Sequence, residues 1–154
     1  MKTLLVMGIG NILLKDEGVG VYCMQALEKK SWPENVSFVE AGIFSHDILC
    51  LFEGFGHLLI LDAVKGGGKP GTLYRLDEQD LEQRYRKYTS LHEIGIADSL
   101  KMAELLGRKT ILTVLGIEPE EICWETGLSR TLEQAFPGFV EFAEGEIKII
   151  LKGC

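Results

Sequence analysis

The feature that most constrains the fold is a glycine-rich turn at residues 7–20, which reads Met-Gly-Ile-Gly-Asn-Ile-Leu-Leu-Lys-Asp-Glu-Gly-Val-Gly. An apolar run at 3–6 precedes it and is typical of a strand buried on both faces. Apolar residues recur at helical spacing after it, which predicts a helix over 16–29 with Asp16 as its N-cap. Such a unit delivers the carboxylates of Asp16 and Glu17 to the carboxyl edge of a sheet, where open α/β folds place their sites.

Strand-like and helix-like runs alternate along the rest of the chain. Further strands are predicted at 36–40, 57–64, 72–76 and 110–115, the third of them on a sheet edge because its polarity alternates. Helices are predicted at 45–52, at 90–107 behind a capping box, and from Ser129 towards 152 with a break at Pro137. This order predicts one domain over 1–154, a three-layer α/β/α fold with a mostly parallel, twisted sheet of about five strands.

Charge and composition exclude several classes of function. The 154 residues carry a net charge of −7 without a basic cluster, so we expect no nucleic-acid partner. No apolar run approaches the ~20 residues that span a bilayer, and the start of the chain resembles a strand and not a signal peptide. The four cysteines are scattered without a C-x-x-C pair, which fits a reducing cytoplasm. We therefore expect a cytoplasmic protein, and we expect it to be monomeric.

Three polar side chains fall at equivalent places in the predicted fold. Glu17 follows the first strand, Asp62 interrupts the carboxyl end of the most apolar strand, and His92 lies in the first turn of a helix. If parallel strands bring their carboxyl ends together, all three face one crevice. Two carboxylates and an imidazole with open positions suit a first-row divalent metal such as zinc or nickel.

Each of the three residues also has an explanation that involves no metal. Glu17 fits a role at the positive end of a helix dipole, and Asp62 fits a cap on the following turn. His92 fits an exposed residue without a function. The combination favours a site more than any single member does.

Other motifs carry less weight. The Gly8-x-Gly10 pair starts a dinucleotide fingerprint, but Leu13 stands where a third glycine is required. The glycine-rich run at 66–72 lacks the spacing of a phosphate-binding loop. Because the loop over 65–71 begins three residues after Asp62, we expect it to become ordered over the crevice when substrate binds. The sequence carries no H-E-x-x-H motif, and it gives no indication of a Ser-His-Asp or Cys-His catalytic site.

Five segments, in this order, resemble the hydrogenase maturation endopeptidases: Gly8-Ile9-Gly10-Asn11-Ile12-Leu13 with Asp16-Glu17-Gly18-x-Gly20, Leu61-Asp62-Ala63, His92-Glu93-Ile94-Gly95 with Ala97-Asp98, Gly116-Ile117-Glu118-Pro119, and Gly127-Leu128-Ser129. The resemblance covers most of the chain. It departs at Glu40-Ala41-Gly42-Ile43, where family members often show Asp and a glycine-rich turn. That departure leaves open which hydrogenase large subunit is processed.

The resemblance implies an endopeptidase that removes a short C-terminal extension from the large-subunit precursor of a nickel–iron hydrogenase after nickel insertion. It implies that Glu17, Asp62 and His92 contact the metal, with nickel carried by the precursor or another divalent metal in vitro. Either a metal on these three residues activates water, or they recognise the substrate's nickel while Asp16 or Glu17 acts as general base. A non-catalytic checkpoint that binds the precursor is the alternative function.

Overall fold

The computed structural model describes residues 2–42, 54–80 and 110–153. Its strands are β1 (Lys2–Ile9), β2 (Val36–Gly42), β3 (Phe55–Ala63), β4 (Leu73–Asp77) and β5 (Ile111–Ile117). Within these ranges they form one sheet in the order β2-β1-β3-β5-β4. The pairs β1–β2, β1–β3 and β3–β5 are parallel, and β4 runs antiparallel to β5 at the edge. The predicted mostly parallel, five-stranded α/β sheet and its fourth strand at an edge are confirmed.

The register brings the carboxyl ends of three neighbouring strands to one edge of the sheet. Gly8 near the end of β1 lies opposite Leu61 of β3. The next residue of β3, Asp62, lies opposite Gly116 near the end of β5. The residues that directly follow β1, β3 and β5 therefore lie at one edge of the sheet, as the sequence predicts.

Helices cover one face of the sheet in the described part of the chain. A 3₁₀ helix (Lys15–Gly18) leads into α1 (Val19–Glu28), and α2 (Arg130–Lys152) ends the described chain. Both α-helices pack against one buried core with the strands. The opposite face of the sheet is a second buried core, built around Leu58, Ile60 and Val114. The helices predicted at 45–52 and 90–107 lie outside the described residues.

The start of the first helix differs from its prediction. Residues 15–18 form a 3₁₀ turn, and Gly18, which makes no side-chain capping bond, is the N-cap of α1. The prediction of Asp16 as the N-cap was therefore wrong. Its carboxylate instead binds backbone N–H groups of a loop more than 100 residues away.

The break predicted at Pro137 does not occur. α2 is continuous through Pro137, and Ser129 caps it as predicted by accepting a hydrogen bond from the N–H of Leu132. Proline removes one backbone donor from a helix. Here that loss is outweighed because α2 buries an apolar face, with Phe139 and Ile147 fully buried in the core.

Among the residues that the structure describes, none of the helices combines the length and the apolar character needed to cross a membrane.

Candidate active site

Two glycines let the first turn approach the sheet closely. Gly10 has a φ of +135°, and a Cβ atom there would lie 1.9 Å from the carbonyl oxygen of Glu17. A Cβ atom on Gly20 would lie 2.1 Å from the carbonyl oxygen of Leu61. Neither position has room for a side chain, so only glycine permits this contact. The 3₁₀ helix is thereby held against the carboxyl end of β3.

Glu17 and Asp62 both lie at this edge. Glu17 is half-buried in the 3₁₀ helix, which contacts β3. Asp62 is buried at the end of β3, and its Oδ1 accepts a hydrogen bond of 2.8 Å from the N–H of Ala63. His92, the third residue of the predicted set, lies outside the described residues.

The two carboxylates have the chemistry of a divalent-metal or water-activating site. Over 2–42, 54–80 and 110–153, no three His, Cys, Asp or Glu side chains are grouped closely enough to hold an ion. Glu17 and Asp62, two of the three predicted ligands, lie at one edge of the sheet, and the binding of a metal by them and His92 stays a prediction.

Asp16, beside Glu17, is buried, and its carboxylate accepts four hydrogen bonds. Its Oδ2 accepts from the N–H groups of Glu120 and Glu121, both at 2.9 Å, and from the hydroxyl of Ser129 at 2.8 Å. Its Oδ1 accepts from the N–H of Ser129 at 2.7 Å. This carboxylate joins the turn that carries Glu17 to the loop after β5.

Lys15 strengthens the same junction. Its φ of +54° lies in the left-handed region, which is uncommon for a residue with a side chain. Its N–H donates to the carbonyl of Glu125 at 2.8 Å, and its ammonium lies 2.7 Å from Glu121 and 3.2 Å from the Glu125 carboxylate. These bonds raise the pKa of Lys15 and lower that of Glu121, so both groups are charged at neutral pH.

Glu118, just after β5, holds the glycine-rich loop over 65–71. Its buried carboxylate accepts from the N–H of Gly66 at 2.8 Å, from the N–H of Gly68 at 3.1 Å and from the hydroxyl of Tyr74 at 2.7 Å. Its own carbonyl accepts from the N–H of Gly71 at 2.9 Å. The loop that follows Asp62 is therefore fastened at both ends to one residue.

The described thiols are unsuited to nucleophilic catalysis. Burial raises the pKa of Cys23 far above its usual range. The pKa of Cys123 is raised, first by desolvation and then by the neighbouring Glu121 carboxylate. Both are protonated at neutral pH, whereas the nucleophile is the thiolate. Neither of the two described thiols is therefore a candidate nucleophile.

Two of these residues were not predicted in the roles that they have. Asp16 was predicted as a helix cap and a candidate base, and its bonds to the loop after β5 had no sequence signal because they join distant segments. Glu118 appeared only within the segment Gly116-Ile117-Glu118-Pro119 and was assigned no role from the sequence. The available signal was the position of Glu118 directly after a parallel strand, because the same criterion had selected Asp62.

Comparisons with known proteins identify a family. The sequence profile of a family described as hydrogenase maturation protease matches residues 21–146. The hydrogenase 2 maturation protease of Escherichia coli K12 is 34% identical over 133 residues, which are 84% of this chain and 81% of that protein. A protein of Rhodobacter capsulatus named hydrogenase expression/formation protein HupD is 34% identical over 148 residues, covering 94% of this chain and 69% of its own length.

Solved structures agree with the sequence relatives. The hydrogenase maturating endopeptidase HybD from E. coli superposes with a TM-score of 0.86 and 31% identity, covering 95% of this chain and 92% of that one. The [NiFe] hydrogenase maturation protease HybD from Thermococcus kodakarensis superposes with a TM-score of 0.77 and 26% identity, covering 93% and 97% respectively.

Proposed function

Because the chain belongs to the hydrogenase maturation protease family, we propose that it removes the C-terminal extension of a nickel–iron hydrogenase large-subunit precursor after nickel insertion. The enzyme class is an endopeptidase, as in the structural relative named as one. The relatives are named as proteases, so they do not support a checkpoint protein that binds the precursor without cutting it.

The observation that carries this proposal is the contact between the Glu17-bearing 3₁₀ helix and the end of β3, where Asp62 lies. It puts two carboxylates from distant parts of the sequence at one edge. With His92 they form the set of ligands that we propose for the metal. The sparse set fits a nickel ion that arrives with the precursor, already held by the precursor's own ligands, and completes the site on binding.

We propose Glu17, and not Asp16, as the general base that assists the attacking water. A general base must reach the water whose proton it takes. Asp16 is buried and both of its oxygens accept hydrogen bonds from the backbone or from Ser129, whereas Glu17 is half-buried. In this proposal Asp16 is a positioning residue that holds the turn in place.

We further propose that residues 1–154 form one domain and that the protein acts as a cytoplasmic monomer. The single sheet of the described strands supports one domain. The two described cysteines, Cys23 and Cys123, are free thiols, which fits a reducing compartment.

The test is to incubate the purified protein with nickel-loaded precursor and to record the precursor's mass. We expect loss of the C-terminal extension without added metal, and no cleavage of nickel-free precursor. Glu17→Gln, Asp62→Asn and His92→Ala are expected to reduce cleavage by roughly a thousandfold or more while the proteins stay folded. Efficient cleavage of nickel-free precursor by chelator-treated enzyme would exclude recognition through nickel. An intact precursor in every reaction would refute the proposed function.

A further inference from the structure

An exposed apolar surface borders the candidate active site. It consists of Ile12, Leu13, Ile122 and Trp124, and we call it the edge patch. Trp124 is 80% exposed and Leu13 is 50% exposed. Single exposed apolar residues are ordinary on protein surfaces, but four on two neighbouring loops, one of them a tryptophan, are typical of an interaction site.

The two loops of the edge patch are fixed to one another. The carbonyl of Leu13 accepts from the N–H of Glu125 at 3.0 Å, and the carbonyl of Glu121 accepts from the N–H of Asp16 at 3.2 Å. Leu14 and Glu125 also form a parallel β-bridge. The patch is therefore preorganised, and binding to it requires little ordering of the backbone.

The edge patch also lies directly beside Glu17. A Cβ atom on Gly18, the next residue, would lie 2.8 Å from the Cα of Ile12. The N–H of Glu17 donates to the carbonyl of Leu14 at 3.3 Å. A chain that lies on the patch is consequently within reach of the edge that carries Glu17.

The charge around the edge patch is negative. Glu120, Glu121 and Glu125 are exposed around it. One cation, Lys15, is shared between the carboxylates of Glu121 and Glu125, at 2.7 Å and 3.2 Å. Three carboxylates against one ammonium leave an excess of negative charge, on a chain whose net charge is −7. Such a rim favours a partner with basic side chains.

We propose that the edge patch docks the hydrogenase large-subunit precursor, through a segment that carries apolar side chains next to Lys or Arg. This proposal rests on the proposed function, because the bound segment is the one that leads into the candidate active site. Trp124 is its central anchor, since large aromatic side chains supply much of the binding energy of protein interfaces.

The test measures binding of nickel-loaded, unprocessed precursor to the purified protein, separately from its cleavage. We expect Trp124→Ala and Leu13→Ser each to weaken binding roughly 10- to 100-fold, as for central interface residues. In cleavage assays this loss is expected as a raised KM with a nearly unchanged kcat. Higher salt is expected to weaken binding by the unaltered protein, because the basic side chains of the segment face the acidic rim.

Ile111→Ser is the matched control. Ile111 is 63% exposed at the first residue of β5, at the other end of the parallel strands, so its replacement is expected to change neither binding nor cleavage.

The outcomes separate the two proposals. If the unaltered protein cleaves the precursor and Trp124→Ala binds it equally well, the docking proposal is overturned while the proposed function stands. If the unaltered protein binds the precursor without cleaving it, and Trp124→Ala weakens that binding, the proposed function fails and the docking surface stands. If the unaltered protein forms dimers that Trp124→Ala dissociates, without an effect on precursor binding, the patch serves a second copy of the chain and the docking proposal is wrong.

Discussion

Asp16 accepts a 2.7 Å hydrogen bond from the N–H of Ser129, a residue 113 positions further along the chain. The hydroxyl of Ser129 donates to the other oxygen of the same carboxylate and also caps α2. One buried side chain thus joins the turn that carries Glu17 to the start of the longest described helix. The precision of the site and the stability of the fold depend on the same bonds.

Asp16→Asn is expected to destabilise the protein. The amide group of asparagine replaces one acceptor oxygen with a donor and faces backbone N–H groups that already donate. We expect a loss of about 2–4 kcal/mol in the free energy of unfolding. Urea unfolding of the Asp16→Asn variant and of the Glu17→Gln variant, measured in parallel, tests this. The first variant is expected to lose stability, whereas the second is expected to lose cleavage with a much smaller change in stability. Equal stability of Asp16→Asn and the unaltered protein would contradict the assigned role of Asp16.

Gly20→Ala is expected to displace the start of α1, and with it the preceding 3₁₀ helix, from β3. The added methyl group would lie 2.1 Å from the carbonyl of Leu61 and 2.7 Å from that of Ile9, and these are backbone atoms that cannot rotate away. We expect a loss of stability above about 2 kcal/mol together with loss of cleavage.

Gly138→Ala in α2 is the control, because a Cβ there has no neighbour within 4 Å. Alanine in an exposed helix is expected to stabilise by about 0.4–1 kcal/mol. Similar melting temperatures for the two variants would refute this explanation.

The backbone of the sheet was predictable because its signals are local. Apolar runs such as residues 57–64 identify buried strands wherever they pair, and β3 is observed over Phe55–Ala63. The break predicted at Pro137 was wrong. That prediction used only the local effect of proline on a helix, whereas α2 is sustained by the burial of Phe139 and Ile147, which depends on tertiary packing.

The candidate site was predictable only in part, for a related reason. Glu17 and Asp62 were selected because the sites of open α/β folds lie at the carboxyl ends of parallel strands, and this criterion requires no knowledge of how the loops pack. Most of the bonds of the Asp16 and Glu118 carboxylates go to backbone N–H groups outside the strands. Any residue type supplies such donors, so no sequence pattern marks them.

A half-buried histidine away from the candidate site is expected to give the protein an acid sensitivity. His57 in β3 hydrogen-bonds through Nε2 to the hydroxyl of Thr113 at 2.9 Å. Its pKa is lowered from 6.5, mainly by desolvation and also by Arg75, against an opposing effect of Glu146. Because the unfolded chain takes up this proton more readily, the contribution of His57 is expected to leave stability unchanged well above pH 6.5 and to lower it as the pH drops below 6.5.

His57→Gln is expected to remove this dependence, since glutamine cannot be protonated and can still reach the Thr113 hydroxyl. Urea midpoints at pH 7.5 and pH 5.5 provide the measurement. The unaltered protein is expected to lose more stability between these values than the variant does. An equal loss in both would assign the acid sensitivity to other groups.

Glu118 controls the loop over 65–71, which we expect to close over the crevice when the precursor binds. In the structure the carboxylate of Glu118 holds the N–H groups of Gly66 and Gly68. Glu118→Gln replaces a charged acceptor with a neutral amide and weakens both bonds. Hydrogen exchange at Gly66 and Gly68 is therefore expected to accelerate roughly tenfold, the equivalent of about 1.4 kcal/mol in local opening.

Tyr74→Phe is the matched control for the loop. It removes the hydroxyl that donates to Glu118 at 2.7 Å and accepts from the N–H of Gly68 at 3.1 Å, but it leaves the charged acceptor in place. A smaller acceleration than in Glu118→Gln is therefore expected, and it is expected at Gly68 more than at Gly66. Adding nickel-loaded precursor to the unaltered protein is expected to slow exchange at both glycines, because the loop then loses its remaining freedom. Exchange that is unchanged by the precursor would exclude closure of the loop. Exchange that is unchanged in Glu118→Gln would show that the glycine N–H groups are protected by something other than this carboxylate.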